Sequence, residues 1–190
     1  MKKIAVIIIL MSVISVKVSF SAKDSDDENQ AVFKPVYING SKRLFLRGTA
    51  TYRYLKLIRA YSGALYMKKE DDSKKILDRI PKRLVLEYFQ GIESEDFFRA
   101  TIEIMGKNIN KSELTLLKNQ LETLRKTYRD VKPGDRYSIT YFPDTGTELA
   151  LNEKSLNIFK GELFARAMFS IWLGETPIDK AFRDKLLENP

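Results

Sequence analysis

Arg53 and Tyr61 are the residues of this sequence whose types and spacing best suit chemistry. Arg53 stands in Thr51-Tyr52-Arg53-Tyr54, inside a stretch of alternating apolar and polar residues that reads as strand. In an uninterrupted strand, residues two apart share a face, which would place Arg53 and Tyr61 together with Leu55 and Leu57 between them. A guanidinium donates two parallel hydrogen bonds to a carboxylate and a phenol adds a third. The apolar side chains beside them would bury an attached chain at roughly 0.8 kcal/mol per methylene. The pair therefore suits the head group of an amphipathic anion. From spacing alone, an arginine stacked on tyrosine or paired with a glutamate at the sheet surface is the competing reading. Arg59 has the parity of Arg53 and Lys56 the opposite one, and either is a substitute candidate.

Other chemistry is excluded by composition. The sequence contains neither Cys nor His, so it has no thiol nucleophile, imidazole base, or thiolate or imidazole metal site. Glu87 and Glu103 lie in apolar contexts, but no spacing pairs them as catalytic carboxylates. Glycine-rich phosphate loops are missing. The acidic run Asp24 to Glu28 lacks the glycine and downstream glutamate of a calcium loop. Neither a cofactor nor a metal is expected.

The elements that must position Arg53 are legible from periodicity and punctuation. Val36 to Met67 alternates, with turn signals at Asn39-Gly40 and Gly48, and predicts three or more antiparallel strands. A short helix is expected over 71–80, stopped by Pro81, and a strand over 82–90. Ser94 reads as an N-cap before Glu95 and Asp96, with Phe97, Phe98, Thr101, Ile102 and Met105 facing inward. Asn110 and Glu113 form a capping-box signal, followed by a stripe from Leu114 to Tyr128 through about four turns. Pro133-Gly134 restores sheet, with Tyr137, Ile139 and Tyr141 alternating before the turn Pro143 to Gly146 and two further short strands. A helix buried along one face spans Gly161 to Leu173, with Gly174 as a left-handed stop and Pro177 preventing continuation. A last helix covers 178–187. Strands, helices, strands and terminal helices describe an α+β domain, an antiparallel β-sheet covered by a layer of α-helices.

At 190 residues the chain accommodates one domain with a real core. Lys2 and Lys3 precede the apolar run Ile4 to Val16, and Ser19 and Ser21 suit recognition before cleavage, so residues 1–21 are expected to be a signal peptide. Residues 22–31 read as a disordered acidic leader and 32–190 as the folded domain. The run is too short for a stable membrane span, and localisation is expected to be periplasmic or secreted. Loss of Lys2, Lys3 and Lys17 with the signal peptide lowers the formal charge from +8 to +5. Basic and acidic residues are mixed in most segments, which argues against a nucleic-acid groove and leaves weak attraction to anionic lipid surfaces or small anions.

Several motifs, in order, resemble the chalcone isomerase-like family in its exported bacterial branch. They are Ala50-Thr-Tyr-Arg53, Gly63-Ala-Leu-Tyr66, Pro81-Lys-Arg-Leu84, Tyr141-Phe-Pro-Asp-Thr-Gly-Thr147, and Gly161 through Leu173 with Pro177, within residues 36–188. The resemblance implies the open-faced sandwich of that family, a sheet and a helical layer enclosing a cleft. It also implies one of two activities: plant isomerases cyclise a chalcone to a flavanone, while non-catalytic relatives bind fatty acids. Arg53 matches the strand arginine that both branches use on an anionic oxygen, and would be the catalytic stabiliser in an enzyme. Tyr61 resembles the tyrosine of the fatty-acid binders, near the threonine of the isomerases. The isomerases' further group of tyrosine, lysine and asparagine has no match placed between Gly106 and Tyr128. The expectation is a non-catalytic binder of a fatty acid or similar anion. The alternatives are a cofactor-independent intramolecular lyase, and an envelope structural or assembly partner with a vestigial cleft.

Overall fold

In the computed structural model, which describes residues 31–188, seven strands form one antiparallel sheet in chain order. They are β1 (Val36–Asn39), β2 (Lys42–Tyr54), β3 (Ile58–Met67), β4 (Lys82–Tyr88), β5 (Arg136–Phe142), β6 (Gly146–Leu151) and β7 (Lys154–Phe159). Between β4 and β5 come α1 (Ser94–Asn108), α2 (Lys111–Leu116) and α3 (Lys118–Thr127); after β7 come α4 (Glu162–Leu173) and α5 (Lys180–Leu187). The α+β reading holds. The proposed signal peptide and most of the acidic leader lie outside the described residues.

Alternation divides the sheet into two faces. Leu65, Leu84, Leu86, Ile139 and Leu149 point to the helices and build the main core. Leu44, Ala64, Tyr66, Val85 and Phe142 point the other way into a smaller cluster, joined by Phe33 and Tyr37. Residues before β1 cross this outer face: Tyr66 Oη donates to the Lys34 carbonyl at 2.9 Å, and the Arg136 guanidinium donates to the Val32 carbonyl at 3.0 Å. Arg83, buried on the same face, pairs with both carboxylate oxygens of Glu153 at 2.8 Å and lies over the Tyr37 ring.

Several local expectations are corrected. Gly48 is no turn but an inner-face residue of β2, where the backbone of α5 comes so close that a Cβ would lie 2.6 Å from the Lys185 and Leu186 carbonyl oxygens. Only a 3-10 turn, Ser73–Lys75, forms where a helix over 71–80 was expected; Ile76 is buried in the core, and Leu77 and Ile80 pack against it from partly exposed positions. Ser94 is the first helical residue rather than the cap; its N–H is met by the Asp130 carboxylate at 2.8 Å. The stripe from Leu114 is split at Leu117 into α2 and α3, with the Asn110–Glu113 capping box intact. Gly174 is extended, not left-handed, and is required by the approach of the Asn108 side chain and the Ser170 carbonyl. Finally, α4 is buried nearly all round rather than on one face, being enclosed by the sheet, α1 and α5.

Candidate ligand-binding site

A cavity of about 640 Å³ opens between the inner face of β2–β6 and the helices α1 and α4. Leu86, Ile139, Leu149, Ile104, Met168 and Ile171 supply its apolar wall. Strand register explains the aromatic part: Tyr52 of β2 pairs with Tyr61 of β3, which pairs with Tyr88 of β4, setting three tyrosines in one row across the sheet. Their ring centroids are 5.2 and 5.6 Å apart. Phe97 of α1 meets Tyr88 and Tyr137 edge-on and stacks on Tyr128 at 5.6 Å, closing the row against the helices.

Several polar groups of the lining are paired with one another or with the backbone. Tyr128 Oη and Thr101 Oγ1 are 2.8 Å apart. Tyr137 Oη accepts from the Arg129 N–H at 2.7 Å and donates to the Arg129 carbonyl at 2.9 Å. Tyr61 Oη differs: among the described residues lining the cavity, it is the buried hydroxyl with no hydrogen-bond partner. A buried hydroxyl left unpaired costs about 1–3 kcal/mol, which an acceptor brought by a ligand would offset. Burial pushes the Tyr61 phenol far up in pKa, and the nearby Trp172 indole opposes part of that rise without reaching hydrogen-bond geometry. Burial also raises Tyr88 and Tyr128. These phenols stay neutral at ordinary pH and act as donors, not as bases.

The structure separates the two residues that sequence spacing joined. The chain reverses at Leu55-Lys56-Leu57, so Arg53 and Tyr61 lie on different strands rather than along one face. A bulge then skips Ala60, so that Ala60 and Tyr61 both line the cavity while Arg59 takes register opposite Arg53. Arg53 is exposed and is not a lining residue; Arg59 packs over the Phe89 ring at 4.2 Å on the outer face. Lys56 sits at the tip of the reversal. The cation that does line the cavity is Lys107 of α1, paired with Glu103 at 2.8 Å. Asp96, Ala100, Glu103 and Lys107 recur along one helical stripe, a signal hidden because a charged stripe ordinarily faces water. Asn108, next to it, is committed elsewhere: its side chain donates to the Ile104 and Thr176 carbonyls and accepts from the Thr176 N–H.

A chalcone isomerase-like family profile matches residues 29–188. The chain belongs to the chalcone isomerase-like family. Its fold matches the crystal structure of the Arabidopsis thaliana fatty-acid binding protein AtFAP1, with a TM-score of 0.59 at 17% identity over 81% of this chain and 90% of that one. No curated protein matches the sequence. This chalcone isomerase-like domain thus carries the family's open-faced sandwich, and the tyrosine row lies in the cleft between its sheet and helices. No helix among the described residues is long and apolar enough to cross a membrane.

Proposed function

We propose that this protein is a non-catalytic chalcone isomerase-like domain that binds a fatty acid or similar amphipathic anion. The observation that carries the reading is Tyr61 Oη, buried and unpaired in a cavity whose remaining wall is largely apolar. The volume of about 640 Å³ lies within the roughly 300–1,000 Å³ of small-molecule sites. In this reading the Tyr61 phenol donates to the head group, and the alkyl chain runs along Leu86, Ile139 and Met168. Arg53 contributes positive field at the β2/β3 end rather than a contact. A lyase would need a base to generate a phenolate; the lining phenols are neutral, and the lining carboxylates Asp96 and Glu103 are ion-paired to Arg99 and Lys107.

Export completes the proposal. Lys2 and Lys3 before the apolar run Ile4 to Val16 support an exported bacterial protein, cleaved near Ser21 and acting in the periplasm or outside the cell. Native mass spectrometry of the protein purified from its own envelope fraction tests both parts. An N-terminus near Ala22 and a fatty-acid-sized adduct that weakens in Tyr61→Phe are expected. An empty protein that also fails to take up added fatty acids would overturn the binding reading.

A further inference from the structure

The β2/β3 hairpin has an apex that the cavity does not use. Leu55, Leu57 and Ile58 are 64%, 79% and 41% exposed, three large aliphatic side chains within four residues. Leu55 and Lys56 both hold left-handed backbone, with φ of 50° and 63°, in a reversal closed by the Leu57 N–H on the Tyr54 carbonyl at 3.1 Å. Hairpins usually place Asn or Gly in that conformation because a Cβ is strained there. Leucine at this point therefore serves neither the turn nor solubility. Charge adds a second observation. From Ala31 through Lys69 there are nine Lys and Arg and no Asp or Glu, and Arg53, Lys56 and Arg59 belong to the hairpin end itself. An aliphatic apex among cations complements an anionic bilayer: the apolar groups enter the boundary between head groups and acyl chains while the cations remain at phosphate level.

Position relates this apex to the cavity. Tyr52 and Tyr54, which lead into it, line the cavity, as does Ile178, itself 36% exposed. We infer that the β2/β3 hairpin docks this protein, tip first, on anionic lipid bilayers and sets that end of the cavity against the membrane. Docking stands without any ligand. Its use, exchange of an amphipathic anion between bilayer and cavity, rests on the binding reading above.

The chain has no Cys, so Leu57→Cys and Leu116→Cys each give the full chain a single attachment point for a nitrobenzoxadiazole label. Leu116 is 76% exposed on α2, outside the hairpin. On phosphatidylcholine vesicles containing about one quarter phosphatidylglycerol, the Leu57 label is expected to shift blue and brighten by roughly threefold or more, and the Leu116 label to stay unchanged. Adding Lys56→Glu, or omitting phosphatidylglycerol, should remove most of the response. A Leu57 label indifferent to the vesicles, or two labels responding alike, would overturn the inference, the second by placing contact elsewhere in the chain. Fatty-acid uptake in vesicle-free solution reads the cavity separately, so a responding Leu57 label beside failed uptake leaves docking supported and removes only its use.

Discussion

Tyr61 stands directly opposite Tyr52 across the β2/β3 ladder, ring centroids 5.2 Å apart over the cavity, while the next residue of β2, Arg53, pairs with Arg59 and leaves the cavity wall. Alternation along β2 turns Arg53 away from the face of Tyr52, and the bulge at Ala60 turns Arg59 away from the face of Tyr61. The phenol is inside and the guanidinium is not.

Tyr61→Phe removes one oxygen and nothing else. Fatty-acid affinity, measured by calorimetry, should fall about tenfold, the worth of roughly 1.4 kcal/mol. Stability in a urea titration should hold or rise by up to about 1 kcal/mol, because a buried unpaired hydroxyl is lost. Unchanged affinity would show that the head group lies elsewhere.

Arg53→Ala should change affinity by less than about threefold and stability by less than about 0.5 kcal/mol, as expected of an exposed residue outside the cavity. If Arg53→Ala abolished uptake while Tyr61→Phe did not, the hairpin would have to rearrange on binding.

Lys82 gives a pH prediction. Its side chain is fully buried under Tyr141 and Phe169, Nζ donating to the Asp78 carbonyl at 2.5 Å, and burial lowers its pKa from 10.5 to about 8 against the opposing pull of Asp78 and Glu162. Between about pH 8 and 10.5 the unfolded chain holds this proton and the folded one does not, so this group makes stability rise with pH across that window. Below about pH 8 both states hold it, and the folded state bears the full penalty, on the order of 3 kcal/mol. Lys82→Met should remove this contribution to the slope and stabilise the protein at pH 7 by about 1–2 kcal/mol, net of the lost hydrogen bond. Urea titrations of both proteins from neutral to alkaline pH test this.

Gly48 and Gly63 let α5 lie on the sheet. A Cβ at Gly48 would meet backbone carbonyls at 2.6 Å, and one at Gly63 would meet the end of the Phe182 ring at 2.5 Å. Gly48→Ala should cost about 2–3 kcal/mol, roughly 5–10 °C in melting temperature, and Gly63→Ala less, since a ring turns aside more easily than a backbone. Equal melting of both variants and the wild type would place α5 elsewhere in solution.

Much of the fold was readable because it rests on local signals. The Asn39-Gly40 turn marked the end of β1, strand patterning marked β4 to β7, the Asn110–Glu113 pair marked the start of α2, and apolar spacing marked α4. The reversal at Leu55-Lys56 was not readable: it contains no Gly, Asn or Pro, and its apolar residues continue the strand pattern without a break. That single omission carried Arg53 onto the face of Tyr61. Gly48 misled in the opposite sense, because a glycine needed for a helix to approach a strand looks the same in sequence as a glycine that turns a chain. Sequence pattern places Phe97 and Tyr128 on inward helix faces and Tyr88 in a strand, but their convergence near Tyr61 depends on strand register and on contacts between distant segments.

A sheet whose spatial order follows chain order is assembled from neighbours, each strand closing on the one just before it and only the β4-to-β5 connection spanning a long excursion. Such a ladder incurs little loop-closure entropy at each step and suits rapid, stepwise growth from the amino end. The exception is α5, the last helix among the described residues, which seats on β2 and β3. The Gly48–Gly63 surface therefore stays bare until α5, more than a hundred residues beyond β3, has been synthesised, and in that interval the nascent chain offers an apolar sheet face for a holding chaperone to cover.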